Sequence, residues 1–167
     1  LPGPSACITA LTISGRPTRR FSFEAFLPSD KKARREILAE LVNETRTIII
    51  YEAPHRLSKT LEELAGVLGS ERALTICREL TKKHEEALLT TFKDALEYYE
   101  NNEARGEYVL VIEGKSRGEI AREKQEAWET MSVEEHVEMY EAQGMDRKEA
   151  MRLAAKDRGI SKRDVYQ

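Results

Sequence analysis

No apolar run in these 167 residues approaches the ~18 that a membrane span requires. No charged n-region with an apolar h-region opens the chain either. A cytoplasmic protein without a membrane partner is the expectation. Cysteine is equally scarce: Cys7 and Cys77 are too few for a disulfide framework, and neither stands at metal-ligand spacing from His55, His84 or His136. No metal site is expected. Cys7 falls in a helical pattern and Cys77 in a strand pattern, so both read as small core residues. An excess of one charge is missing too, with 27 Lys and Arg against 30 Asp and Glu.

That near-balance hides a segregation. Residues 1–117 carry 18 basic and 18 acidic side chains, residues 118–144 carry 2 and 8, and residues 145–167 carry 7 and 4. So sharp a shift marks a boundary near Lys115 to Glu119. It separates residues 1–117 from a module of residues 118–167.

The first segment is organised around Thr47 to Arg56, T-I-I-I-Y-E-A-P-H-R. The β-branched run Thr47 to Tyr51 predicts a strand buried on both faces. Pro54 stops it and presets the first turn of a helix whose Leu57, Leu61, Leu64 and Leu68 share one face. A strand ending abruptly at a helix N-terminus puts Glu52, His55 and Arg56 at the carboxyl edge of a sheet, where open α/β folds bind ligands.

Around this core the remaining elements follow in order. The chain opens on Leu1-Pro2-Gly3-Pro4, a loop that leads into a small-residue helix reaching Gly15, which predicts a fragment lacking an N-terminal half. Phe21, Phe23 and Phe26, interleaved with Ser22 and Glu24, predict a strand with one apolar face. Basic residues flank it: Arg16, Arg19 and Arg20 before, Lys31, Lys32, Arg34 and Arg35 after. These could meet a phosphate backbone or simply be solvated, and both readings stay open. Residues 31–44 predict an amphipathic helix with Ile37, Leu38, Leu41 and Val42 inward. Strands at Ala73–Arg78 and Tyr108–Ile112 and a helix at Phe92–Asn101 complete an α/β layer architecture.

From Gly118 the pattern is helical only. Caps are signalled at Ser132 with Glu135, Asp146 with Glu149, and Ser161 with Asp164, which predicts three short helices. The last two have helix-turn-helix spacing, with Ala155, Gly159 at the turn, and Val165. Their basic residues, Lys162 and Arg163 among them, suit phosphate contact or a packing module.

Arg78 to Glu86, R-E-L-T-K-K-H-E-E, packs seven ionisable side chains into a strand end. Such density marks either a site or an ion-pair network, and spacing alone does not separate them.

Here the motifs combine. L-P-G-P-S-A at 1–6, S-G-R-P-T-R-R-F at 14–21, F-E-A-F-L-P at 23–28, Y-E-A-P-H-R at 51–56, R-E-L-T-K-K-H-E-E at 78–86 and R-G-E-Y-V-L-V-I-E-G at 105–114 resemble, in order and spacing, the second half of the ribosomal RNA small subunit methyltransferase I family. That family belongs to the tetrapyrrole methylase superfamily. The resemblance spans essentially the whole chain, and it departs from the usual pattern at Arg16, Ala25, Ala53 and Thr90.

The resemblance implies a mixed sheet of about five strands flanked by helices, with a small all-α C-terminal module. It implies methyl transfer from S-adenosylmethionine to the ribose 2′-hydroxyl of a cytidine in 16S ribosomal RNA of the small ribosomal subunit, by a homodimer, with this chain supplying half of the site. By position, Ser5, Ala6, Tyr51, Glu52, Leu80 and Thr81 would line the cofactor. Glu79, Lys82 or His84 would orient or deprotonate the ribose hydroxyl, a step that needs alignment and proton removal. Arg56, Lys83, Arg19, Arg20, Lys162 and Arg163 would meet RNA. Two alternatives stay open: a methylase acting on a tetrapyrrole, and an inactive RNA-binding and dimerising fragment. The basic tail and the charged 78–86 loop suit a polyanion better than a macrocycle.

Overall fold

The computed structural model describes residues 3–161, which form two compact units dividing between Lys115 and Ser116. The first holds α1 (Ala6–Ile13), β1 (Phe21–Phe26), α2 (Lys31–Leu41), β2 (Thr47–Glu52), α3 (Leu57–Leu68), β3 (Ala73–Arg78), β4 (Glu86–Thr91), α4 (Phe92–Asn101) and β5 (Tyr108–Ile112). The second holds α5 (Arg117–Thr130), α6 (Val133–Ala142) and α7 (Arg147–Arg158).

The five strands form one mixed sheet in the order β1-β2-β5-β3-β4. β1 runs parallel to β2, whereas β5 is antiparallel to both β2 and β3, and β4 is antiparallel to β3. Strand parity then assigns the two faces. Ile48, Ile50, Leu74, Ile76, Leu110 and Ile112 face α2, α3 and α4, where Leu57, Leu61, Leu64 and Leu68 all lie inward as their spacing predicts. Each leucine so buried contributes about 2 kcal/mol. Ile49, Cys77, Val109 and Val111 face the opposite way, against Cys7, Ala10 and Leu11 of α1. Both cysteines are thus core residues.

Local sequence explains the ends of the elements. Asp30 caps α2 by accepting from the amides of Lys32 and Ala33. Pro54 opens one 3-10 turn, Pro54–Arg56, ahead of α3. Gly114 has to be glycine because a Cβ there would lie 2.4 Å from the Arg46 carbonyl oxygen.

Two elements depart from expectation. β4, the fifth strand, is solvent-exposed through Glu86 to Leu89, so no buried alternation marks it in the sequence. In β1 the buried residue is Ser22, while Phe21, Phe23 and Phe26 stand exposed. The register against β2 shifts between Phe23 and Ala25, and Ala25 takes a left-handed φ of 52°, where the resembled family has glycine.

In the second unit, α5 begins one residue before Gly118 on a capping box of Ser116 and Glu119. Helices α6 and α7 start at the expected Ser132 and Asp146 caps, and α7 ends at Gly159 with φ 64°. The third cap, at Ser161 with Asp164, and the second helix of the helix-turn-helix pattern fall on residues 162–167, outside the described residues.

His136 is fully buried in this unit, stacked between Trp128 at 5.0 Å and Tyr140 at 5.4 Å. Its Nδ1 accepts from Arg158 Nε at 3.1 Å, which leaves the ring proton on Nε2, 3.6 Å from the Asp157 carboxylate. The Arg158 guanidinium also donates to the Met131 and Ser132 carbonyls. Burial, then the Arg158 charge, lower the proton affinity of His136, against a smaller opposing pull from Asp157.

Two outcomes are expected. Ala25→Gly, which relieves the left-handed backbone, is expected to stabilise the first unit by about 1 kcal/mol in urea unfolding. The folded His136 ring binds its proton less tightly than an unfolded imidazole, so the helical unit is expected to be most stable above pH ~6.5 and to lose stability as pH falls below it. Trp128 is the sole tryptophan and reports this unit's unfolding. His136→Gln should flatten the pH dependence measured by its fluorescence between about pH 6.5 and 5.

Candidate functional site

Because β1, β2 and β3 all point the same way, their carboxyl ends share one edge of the sheet. The start of α1 is tied to the end of β2 there. Tyr51, near the end of β2, places its hydroxyl 2.9 Å from the Cys7 amide and accepts its hydrogen bond. Ser5 is the N-cap residue of α1, yet its hydroxyl makes no capping bond. Leu80, just past β3, and Tyr51 both pack against the α1-side cluster. Ser5, Ala6 and Tyr51 therefore come together at the first turn of α1, with Leu80 against the same core cluster. Thr81 follows with φ 64°, its amide donating to the Glu85 carboxylate at 2.6 Å. Small residues, a free hydroxyl and an apolar wall fit an amphipathic cofactor.

Glu52 faces the other way. Strand parity puts it with Ile48 and Ile50 on the face covered by α2 to α4, where it is 2% exposed. Its carboxylate accepts from the Ala53 amide at 2.8 Å and from Thr60 Oγ1 at 2.6 Å, and lies 3.7 Å from Arg56 Nε. Thr60 in turn accepts from Arg34, which pairs with Glu63 at 2.6 Å. Arg56 donates to the Leu27 carbonyl and to Ser29 Oγ. Both residues are thus held in a network that ties β2, α3 and the loop after β1, and only the backbone of Glu52 borders the α1 side.

The charged loop after β3 lies at the same edge. Glu79 accepts from the Glu107 amide at 2.8 Å and from Lys82 Nζ at 3.1 Å, while Lys82 also reaches the Glu107 carboxylate at 2.9 Å. The backbone bond to Glu107 and the Lys82 ammonium lower the Glu79 pKa, and hydrogen bonds to Glu107 and Glu79 raise that of Lys82. The pair stays carboxylate and ammonium at neutral pH, suited to orienting a substrate rather than to taking a proton. Strand parity turns Arg78, in register with Tyr108 and Glu52, toward the α4 face, and Arg78, Glu79, His84, Arg105 and Gly106 line a cavity of about 290 Å³ there. His84 is exposed there, and so is neighbouring Lys83. Arg78 pairs with Glu86 at 3.5 Å, its Nε having no hydrogen bond, and Arg105 pairs with Glu103 at 2.6 Å. Arg78 and Arg105 stand in the 78–86 and 105–114 motifs, but only the return of β5 beside β3 places them together.

Arg19 and Arg20 lie elsewhere. They precede β1 at the amino edge, a strand length of about 17 Å away, and both are exposed. Lys162 and Arg163 fall outside the described residues.

Glu79 also carries a left-handed φ of 50°. It folds so closely over Gly106, itself at φ 85°, that a Cβ there would lie 2.5 Å from the Glu79 side chain. Gly106→Ala is expected to displace Glu79 and to destabilise the unit by about 2 kcal/mol in urea unfolding. In a Glu79→Ala background the clash is gone, so the same change should cost only its backbone strain, about 1 kcal/mol. Equal costs in both backgrounds would show that the contact is not what demands glycine.

A family model described as Tetrapyrrole (Corrin/Porphyrin) Methylases matches residues 1–96. Among curated relatives, the ribosomal RNA small subunit methyltransferase I of Halalkalibacterium halodurans is 44% identical over 99% of this chain and 56% of its own length. The protein of that name from Bacillus subtilis is 43% identical over the same shares, and that from Synechocystis is 40% identical over 100% and 58%. The chain thus spans little more than half the length of these relatives. Among solved structures, the methyltransferase CobJ covers 68% of this chain and 49% of its own at a TM-score of 0.49 and 20% identity. The family match extends over α1, the βαβ unit of β1 and β2, and the charged loop that form the carboxyl edge, and on it the chain belongs to the tetrapyrrole (corrin/porphyrin) methylase family.

Proposed function

We propose that this chain forms one side of a methyltransferase site that takes a methyl group from S-adenosylmethionine to the ribose 2′-hydroxyl of a cytidine in 16S ribosomal RNA, within a cytoplasmic homodimer. The observation that carries the proposal is that the α1 start, tied to the end of β2, and the loop after β3, whose Leu80 packs on the α1-side cluster, lie at one sheet edge. The names of the 37–44% identical relatives support the ribosomal RNA substrate.

Ser5, Ala6, Tyr51, Leu80 and Thr81 would hold the cofactor, the side chain of Glu52 being engaged on the other face. The cofactor supplies a methyl group on a sulfonium, ready for in-line displacement. What remains for this chain is to aim the hydroxyl and to remove its proton as the oxygen–carbon bond forms and the carbon–sulfur bond breaks. Lys82, fixed as an ammonium by Glu79 and Glu107, orients the ribose. His84, exposed in the same loop as Lys82, takes the hydroxyl proton. Lys83, exposed in the same loop, meets phosphate beside the target.

The test is calorimetric titration of S-adenosylmethionine into this chain alone, and into the chain joined to the portion of the Halalkalibacterium relative that it does not cover. Binding is expected in the joined form only. The joined protein should then methylate small ribosomal subunits, and His84→Gln should slow turnover about a hundredfold without changing cofactor affinity. Unchanged turnover in that variant removes His84 from the chemistry. Tight binding by the chain alone would place the cofactor elsewhere than in a shared cleft.

A further inference from the structure

Phe21, Phe23 and Phe26 are 36%, 47% and 56% exposed on β1, the reverse of where phenylalanine normally sits. Plain alternation would turn Phe21 and Phe23 to one face and Phe26 to the other. Instead Phe23 lies opposite Ile49 and Ala25 opposite Ile50, so Glu24 is an inserted residue and Phe26 arrives opposite Tyr51. All three rings therefore stand on the α1 face of the sheet. Tyr51 holds Phe23 and Phe26 edge-on, with ring centroids 4.9 and 5.7 Å away. Helix α1 packs on β2, β5 and β3 but leaves β1 open.

Free cations frame this strip. Arg19 and Arg20 precede it and Lys31 follows it, and among the described residues none of these side chains has a hydrogen bond or an ion pair. By contrast, Arg16, Arg34 and Arg46 each pair with a glutamate. A protein partner covering the rings would have to bring carboxylates to both ends of the strip to match these cations. A phosphate backbone needs them, and unpaired bases need aromatic faces on which to stack.

We infer that the exposed face of β1 is a track for single-stranded RNA, with bases stacking on Phe26 and Phe23 and phosphates meeting Arg19, Arg20 and Lys31. The Phe26 end lies against Tyr51, whose hydroxyl holds the start of α1, so the track leads to the carboxyl-edge site. The target nucleotide sits at that edge and its neighbours run down the strand. This rests on the ribosomal RNA reading above and adds the path of the substrate.

Fluorescence anisotropy of labelled single-stranded oligonucleotides, cytidine-rich and uridine-rich, titrated with the whole chain tests it. Phe23→Ala and Phe26→Ala should each weaken binding about tenfold. Phe23→Leu should weaken it nearly as much, because leucine keeps apolar area but offers no π face. Arg19→Gln with Arg20→Gln should reduce the slope of log K against log salt by about 1.4. Parent-like RNA affinity in the phenylalanine variants overturns the track while leaving the ribosomal RNA reading in place. If those variants instead change the sedimentation of the chain without touching RNA affinity, the face belongs to a second copy. Failure of the parent chain to bind any RNA removes the track, whereas the substrate reading stands or falls on methylation of small ribosomal subunits by the joined protein.

Discussion

Burial of β2 and β5 on both faces is the constraint from which the first unit follows. Ile48, Ile49, Ile50, Leu110, Val111 and Ile112 are at most 1% exposed, so water must be kept from each side of the sheet. Three helices supply one cover. The other is a single short helix, α1, which has to lie over β2, β5 and β3 and so begins beside Tyr51. The site is a by-product of that covering: the helix that seals the centre of the sheet delivers its first turn to the edge where the charged loop emerges.

The electrostatics of that edge separate two roles which the sequence leaves mixed. Glu52 and Arg56 have the charges of site residues, yet parity turns the carboxylate into a network with Thr60, Arg34 and the loop after β1. A buried carboxylate with these partners fixes loop geometry instead of reacting. Glu79 and Lys82 pair with each other and with Glu107, outside that buried network. Backbone strain marks the same place, since Glu79 and Thr81 both adopt left-handed conformations that side chains other than glycine seldom take.

Much of this was legible residue by residue. The isoleucine run with Pro54 located β2 and its turn, the leucine spacing located the inner face of α3, and the Ser132 and Asp146 caps located α6 and α7. What stayed hidden has physical causes. β4 is exposed along most of its length, so burial imposes no pattern on it. α5 buries none of its residues, so no apolar stripe sets it apart within the helical stretch from Gly118. The cavity formed by Arg78, His84 and Arg105 depends on β5 returning between β2 and β3, a topology that no local spacing encodes. The orientation of Glu52 was available in principle, two residues on from Ile50 on the same face.

The inserted Glu24 carries one more consequence. β1 is an edge strand, and an edge that displays phenylalanines beside unpaired amide and carbonyl groups is a template for ribbon-like self-association. A bulge bends such a strand out of the flat geometry that pairing with another edge requires, and it places a carboxylate in the middle of the apolar run. Ser22 donates to that carboxylate from the next register position, holding the charge at the strand. One extra residue thus lets the rings stay on the surface while the backbone beside them is a poor partner for its own kind.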